Sequence, residues 1–318
     1  MRRIVTVTFN PAIDLTTSVK RLVSGPKLRC VQPRIDPGGG GINVSRAIAK
    51  LGFTSIAVAA IGGVSGEILK CLIDQEGVEA KWFEIDGDTR QSFTVHDESS
   101  SEQYRFVLPG PEWSSAAFVG LLETCSQLIK ADDYVVASGS LPPGVPDDAY
   151  HQLAELADQA AADLIIDTSG PALAALVKKG QAGVRILVMD EDEASQLAGI
   201  PHVEIDDASK IGTRLIADRV AETIIVTLGG RAAVVTSPAG KLCLFPPNVQ
   251  ISSKVGAGDS FVAGLVTSLS EGRPFGQALK HAMGAATSAV TTPATELCTK
   301  EGAETYSAAV ECKWLEAS

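Results

Sequence analysis

The chain has 318 residues, 45% of them hydrophobic and 20% charged, with a formal net charge of −11. That composition supports a large buried core and excludes long disorder. An acidic chain is also a poor candidate for broad nucleic-acid binding or for docking on anionic membranes. An anionic small molecule remains open, because a few local cations and backbone N–H groups suffice to hold one.

In chain order, Ile4–Phe9 reads as an opening strand: its apolar run is short, interrupted by threonines and closed by Asn10-Pro11. Ile42–Leu51 has helical spacing and stops at Gly52, Ser55–Ile61 reads as a strand, and Gly66–Gln75 as a helix closed by Gly77. Asp133–Ala137, Leu164–Asp167, Val184–Met189 and Thr223–Leu228 are predicted strands, apolar and β-branched as buried parallel strands are. Asp147–Ala162, Gly258–Leu269 and Pro274–Val290 are predicted helices. Strand–helix alternation with short links implies a parallel sheet covered on both faces. Two stretches break the rhythm. Thr16–Ile35 reads as extended chain interrupted by Gly25-Pro26, and Arg90–Leu108 alternates apolar and polar residues around a turn at Asp97–Gln103. Such strands suit an antiparallel sheet open on one side, a β-flap inserted at about 16–36 and 88–108 in a single domain spanning 1–318.

Four constellations carry chemistry. Asp36-Pro37-Gly38-Gly39-Gly40-Gly41-Ile42-Asn43 sets four glycines before a helix, which frees backbone N–H groups for an oxygen-rich ligand and puts Asn43 in the first turn. A plain turn is the competing reading, and the spacing lacks the dinucleotide pattern. Val255-Gly256-Ala257-Gly258-Asp259 curls N–H groups into an anion nest at a helix start, where Asp259 serves as cap, metal ligand or general base. Asp190-Glu191-Asp192-Glu193 follows a strand end; Asp190 and Glu193 have both capping-box spacing and the chemistry to organise Mg²⁺ through waters. Lys27, Arg29, Arg90 and Arg105 sit in the flap, either as solvated charges or as a focus for an anion. The six dispersed cysteines show no C-x-x-C pair and are expected to be reduced. With no apolar run of membrane-helix length, the expected location is cytoplasmic.

Taken in order, these segments resemble the phosphofructokinase-B branch of the ribokinase-like sugar kinases. The likeness also rests on Asn10-Pro11-Ala12-Ile13-Asp14, Gly25–Arg29, Thr89-Arg90, Glu102–Phe106, Ser138–Gly144 and Thr227-Leu228-Gly229. Within the branch, Lys27–Cys30, Glu102–Val107 and Glu296-Leu297-Cys298 are most similar to its 6-phosphofructokinases, with tagatose-6-phosphate kinases and 1-phosphofructokinases close by. The resemblance implies a three-layer αβα sandwich with a β-lid, a homodimer formed through the lids, and transfer of a phosphoryl group from ATP, with Mg²⁺, to the C1 hydroxyl of fructose 6-phosphate. By position, Asp259 matches the catalytic base and Gly256, Ala257 and Gly258 the anion hole. Asp14, Gly39 and Asn43 match residues holding sugar hydroxyls. Lys27, Arg90, Arg105 and Ser140 fall where the family contacts the sugar and its phosphate. Thr227, Gly229, Gly284 and Thr292 fall near the nucleotide, and Ser253 and Val255 near a K⁺ site of some members. Where the family carries Lys-Pro-Asn-x-x-Glu, this chain has Val188-Met189-Asp190-Glu191-Asp192-Glu193, and Thr292-Pro293-Ala294 replaces Asn-x-Gly. These changes motivate a second reading, a sugar-phosphate-binding protein with impaired transfer.

Overall fold

A computed structural model describes residues 1–181, 183–293 and 296–315. Its first half runs β1 (Ile4–Thr8), β2 (Ala12–Val19), β3 (Arg34–Gly38), α1 (Gly40–Lys50), β4 (Ile56–Ile61), α2 (Gly63–Gln75), β5 (Glu79–Glu84), β6 (Arg90–Asp97), β7 (Glu102–Val107), α3 (Ser115–Leu128), β8 (Tyr134–Ser138), α4 (Ala149–Gln159) and β9 (Asp163–Asp167). The second runs α5 (Gly170–Lys179), β10 (Val184–Asp190), α6 (Glu191–Ala198), α7 (Ile205–Ala217), β11 (Ala221–Thr227), β12 (Ala233–Ser237), β13 (Gly240–Phe245), α8 (Ala257–Ser270), α9 (Phe275–Thr291), α10 (Lys300–Ala308) and β14 (Glu311–Trp314).

Ten strands form one sheet in the order β14-β13-β12-β11-β10-β9-β8-β1-β4-β5. From β11 to β5 every pairing is parallel; the edge from β11 through β14 is antiparallel. The period of two sorts the strand residues onto two cores. Val5, Val7, Val135, Ala137, Leu164, Ile166, Leu187 and Met189 pack with α3, α4 and α5 on one face. Ile4, Val136, Ile165, Ile186, Val188 and Ile225 pack with α1, α8 and α9 on the other. This is the three-layer αβα arrangement, and it explains why these strands read as unbroken apolar runs. All six cysteines are free. Among the described residues no helix is long and apolar enough to cross a membrane.

The second sheet has the order β3-β2-β6-β7 and is fed by two insertions. It differs from the expected antiparallel flap. The outer pairs β2/β3 and β6/β7 are antiparallel, but β2 and β6 pair in parallel over Ala12–Val19 and Arg90–Asp97. Each arm leaves the main sheet from the same end, after β1 and after β5, so the two arms enter side by side in one direction. Regular strand is also scarcer than expected in the first arm: residues 20–33 form no strand. The elements α3, α5, α6, α7, α10, β5 and β12–β14 have no counterpart among the predicted elements, whereas the predicted C-terminal helices Gly258–Leu269 and Pro274–Val290 lie within a residue of α8 and α9.

Candidate active site

The sheet order reverses beside β1: the chain runs from β1 outward to β4 and β5, then returns to build β8 to β11 on the other side. Crevices at the carboxyl ends of strands at such a reversal are where open α/β sheets hold ligands. A cavity of about 290 Å³ lies here, bounded by Asp14, Gly39, Gly40, Asn43, Ser140, Gly256 and Asp259, with Lys254 and Val255 beside them and β6–β7 of the small sheet, including Arg90 and Arg105, across the opening.

Glycines let the walls approach. Gly39, at φ +104°, caps α1, and a Cβ on Gly40 would overlap Ser138 Oγ while one on Gly41 would overlap Thr8 Oγ1. The glycine run therefore serves close packing of α1 on β1 and β8 as well as access to the cavity. Gly256 caps α8 in the left-handed region at φ +75°, ψ 8°, and a Cβ there would overlap Leu297 Cδ2. The first turn of α8 thus opens toward the cavity with Asp259 in it.

Asn43 Nδ2 donates to Asp259 Oδ2 at 3.1 Å, and Arg46 Nη1 donates to Asn43 Oδ1 at 3.1 Å. Burial, and then the charge of Asp167, push the Asp259 carboxyl up to about 7, against the Asn43 hydrogen bond. Burial and Asp190 push Asp167 up to about 6, and burial and Asp167 push Glu193 up to about 8. A line of mutually repelling carboxyls therefore runs from Asp259 past Asp167 to the start of α6. Asp14 is raised by burial and countered by Arg90, Arg105 and Arg46. Arg90 is lowered by desolvation and supported by Asp14. Arg90 also donates to the Asn10 carbonyl at 3.2 Å and to the Leu108 carbonyl at 3.4 Å, while Ser140 Oγ accepts from Asn10 Nδ2 at 3.3 Å. The cavity has cations at its lid end, carboxylates and an amide on its floor, and a helix N-terminus at the other end.

The structure thus gathers Asp14, Gly39, Asn43, Arg90, Arg105, Ser140, Val255, Gly256 and Asp259. Lys27 is not among them; it is exposed in segment 20–33. Gly284, expected near a nucleotide, packs closely in the α9–α10 contact, where a Cβ would lie 2.6 Å from Ser307 N. Thr292 ends α9, its Oγ1 2.8 Å from both the Ala289 and Leu297 carbonyls; Ala294 lies outside the described residues. Thr227 and Gly229 stand where β11 ends, with Gly229 at φ +58° facing open space. Asp190 and Glu193 form a reciprocal capping box on α6, with bonds of 2.9 and 2.8 Å, and Arg231 pairs with Glu191 at 2.7 Å. Ser253 is buried and its Oγ accepts from Val255 N at 3.2 Å.

Three residues escaped the sequence reading: Asp167, Lys254 and Arg46. Asp167 closes a buried strand, and an acid at a strand's carboxyl end was the available signal. Lys254 precedes the glycine nest, lines the cavity and makes no ion pair among the described residues. Arg46 was masked by the apolar periodicity of its helix.

A doubly covered sheet, a lid over its reversal point and a carboxylate at a glycine-opened helix start define a ribokinase-like kinase fold. The chain belongs to the pfkB family of carbohydrate kinases, whose model matches residues 7–301. It is 35% identical to the ATP-dependent 6-phosphofructokinase isozyme 2 of Mycobacterium tuberculosis over 304 residues, 96% of this chain and 88% of that one. It is 35% identical over 301 residues to the protein of that name in Escherichia coli K12, covering 95% and 96%, and 30% identical over 298 residues to 1-phosphofructokinase of Bacillus subtilis, covering 94% and 95%. The structure of phosphofructokinase-2 from Escherichia coli in complex with potassium superposes with a TM-score of 0.91 at 34% identity, covering 97% of this chain and 99% of that one.

Proposed function

We propose that this kinase transfers the γ-phosphoryl group of ATP to the C1 hydroxyl of fructose 6-phosphate, giving fructose 1,6-bisphosphate. The observation that carries this reading is the division of the cavity: Arg90 and Arg105 at the lid end, Asp259 and the α8 N-terminus at the other, with Asp14 and Asn43 between. Such a site suits a ligand with a phosphate at one end, hydroxyls in the middle and a reacting hydroxyl at the far end. The names of the Mycobacterium and Escherichia relatives support the acceptor, and a crystal structure of the Escherichia protein with fructose 6-phosphate aligns with a TM-score of 0.89.

Arg90 and Arg105 bind the existing phosphate, and Asp14 and Asn43 hold ring hydroxyls, so the C1 hydroxyl is presented to Asp259. Ionised Asp259 accepts the hydroxyl proton as the oxygen bonds to the γ-phosphorus and the bond to the ADP oxygen breaks. The Gly256–Gly258 backbone and Lys254 receive the charge of the moving phosphoryl group. Thr227 and Gly229 border the nucleotide. Burial and mutual repulsion hold the carboxyls of Asp167 and Glu193 above the ordinary carboxylate range, and a cation bound beside them would relieve that repulsion. Among the described residues no three acidic, histidine or cysteine side chains are placed to chelate a metal. Mg²⁺ would be held beside the nucleotide phosphates by Asp190 and Glu193 through water, and would offset the negative charge there. Ser253 and Val255 would seat K⁺ beside α8, where it would offset nearby negative charge. The enzyme works as a cytoplasmic homodimer paired through the lid at β7, where Tyr104, Phe106 and Val107 are exposed.

The test is ADP release over a panel of fructose 6-phosphate, tagatose 6-phosphate, fructose 1-phosphate and free fructose, with and without Mg²⁺. The highest kcat/KM is expected for fructose 6-phosphate, with none for free fructose. Preference for another phosphosugar replaces the acceptor. Binding of fructose 6-phosphate without nucleotide binding by calorimetry favours a binding protein with impaired transfer.

A further inference from the structure

Arg46 is among the largest fully buried side chains, 1% exposed inside α1. A helix that needed only packing there would be better served by Leu or Met, because burying a guanidinium is costly unless it is paired and hydrogen-bonded. Its bonds reach β3, the end of α2 and α1 itself. Nη2 meets Glu76 Oε1 at 2.6 Å, at the end of α2, and lies 4.0 Å from Asp36 Oδ1. Nη1 donates to the Pro37 carbonyl at 2.9 Å and to Asn43 Oδ1 at 3.1 Å. Residues 43 and 46 share a helix face. A guanidinium has donors only, so the side of the Asn43 amide that faces it must be the carbonyl. The NH₂ is thereby turned the other way, toward Asp259 Oδ2 at 3.1 Å and the cavity.

We propose that Arg46, anchored by Glu76, is a positioning residue that fixes the Asn43 amide and through it orients Asp259. The relay Glu76–Arg46–Asn43–Asp259 links the end of α2, outside the cavity, to the first turn of α8. Without Arg46 the amide can rotate by half a turn and present its carbonyl to the Asp259 carboxylate, which repels it, and to substrate hydroxyls in place of donors. The inference rests on the reading of Asp259 as the base. The cation also favours the ionised forms of Asp259, against Asp167 at the end of β9, and of Asp14, against Asp36.

The test is steady-state kinetics with ATP and fructose 6-phosphate on the full chain, using Arg46→Met, Arg46→Lys, Asn43→Ala, the Arg46→Met/Asn43→Ala double variant and Asp259→Asn. Arg46→Met should lower kcat by about ten- to a hundredfold, the scale of a misplaced reacting group, with KM for ATP unchanged. Arg46→Lys keeps the charge but not the planar fork, and should recover only part of the loss. In the Asn43→Ala background, Arg46→Met should add less than about threefold, since a residue acting through Asn43 has nothing left to position. Ser55→Ala, which removes a 2.9 Å bond to Ser45 of the same helix, should lower Tm and leave kcat unchanged. Multiplicative effects of Arg46→Met and Asn43→Ala would overturn the relay. Should Arg46→Met not fold, Glu76→Gln runs the same cycle against Asn43→Ala with the same criterion. Near-wild-type turnover of Asp259→Asn overturns the base reading instead, so the two failures are separable.

Discussion

Asn43 and Asp259, 216 residues apart in the chain, meet at 3.1 Å across the cavity floor and tie the first turn of α1 to the first turn of α8. Neither helix start is capped by its own side chain; both begin at a glycine with positive φ. The two openings face one space, and the polar side chains in them are spent on each other and on the ligand.

Asp259→Asn keeps this contact's size and removes the base. Turnover should fall by about 10²–10⁴-fold, with fructose 6-phosphate affinity by calorimetry nearly unchanged. In the wild type, the group must be ionised to accept a proton and its carboxyl sits at about 7. The kcat/KM of the native enzyme for fructose 6-phosphate should therefore rise with pH through a midpoint near that value, a limb absent from the residual activity of Asp259→Asn.

The same burial makes stability fall as pH rises. Asp167, Asp259 and Glu193 have folded-state values of about 6, 7 and 8, all above the ordinary carboxylate values of 3.8 and 4.5. Between the unfolded and folded values the folded chain holds more protons, so each group's contribution is full below its unfolded value and lost as pH climbs through its folded one. Tm of the ligand-free protein should decline from about pH 5 to pH 8, and Asp167→Asn should flatten the decline. Asp97, lowered to about 2 by the Leu22 N–H and by Ser99, has the opposite sign and acts only in the acid window between that value and 3.8.

Arg105 makes no hydrogen bond or ion pair among the described residues, unlike Arg90, which also holds the Asn10 and Leu108 carbonyls. Arg105→Ala should therefore raise KM for fructose 6-phosphate by about tenfold or more while Tm stays within a degree or two, the cost of one charged hydrogen bond to phosphate. Arg90→Ala should raise KM and lower Tm together.

Gly256→Ala places a methyl against Leu297 Cδ2 and holds a non-glycine residue at φ +75°. About 1–3 kcal/mol of strain is expected. The first turn of α8 should shift, and kcat should fall more than KM rises. An unchanged kcat would separate the glycine from transfer.

The central strands and the helices α1, α2, α4, α8 and α9 were legible because burial on both faces leaves unbroken apolar runs and these helices keep one apolar stripe. The glycine clusters were legible as well, though Gly40 and Gly41 turn out to be required as much by Ser138 and Thr8 as by a ligand. Lys27 lies in an irregular segment and Gly284 is packed between two helices, places that position in the sequence did not convey.

Local patterning is set by neighbours in the chain, so the sequence by itself determined the strand–helix alternation, the helix starts at the glycine clusters Gly38–Gly41 and Gly256–Gly258, and the acidic residue in the second of them. Long-range juxtaposition is set by packing, and only the tertiary structure decided it: that β2 and β6 run parallel, that Asp167 raises both Asp259 and Glu193, and that a buried Arg46 turns the Asn43 amide toward the base. Those relationships depend on distances between residues far apart in sequence and on exclusion of water around them, which no periodicity records.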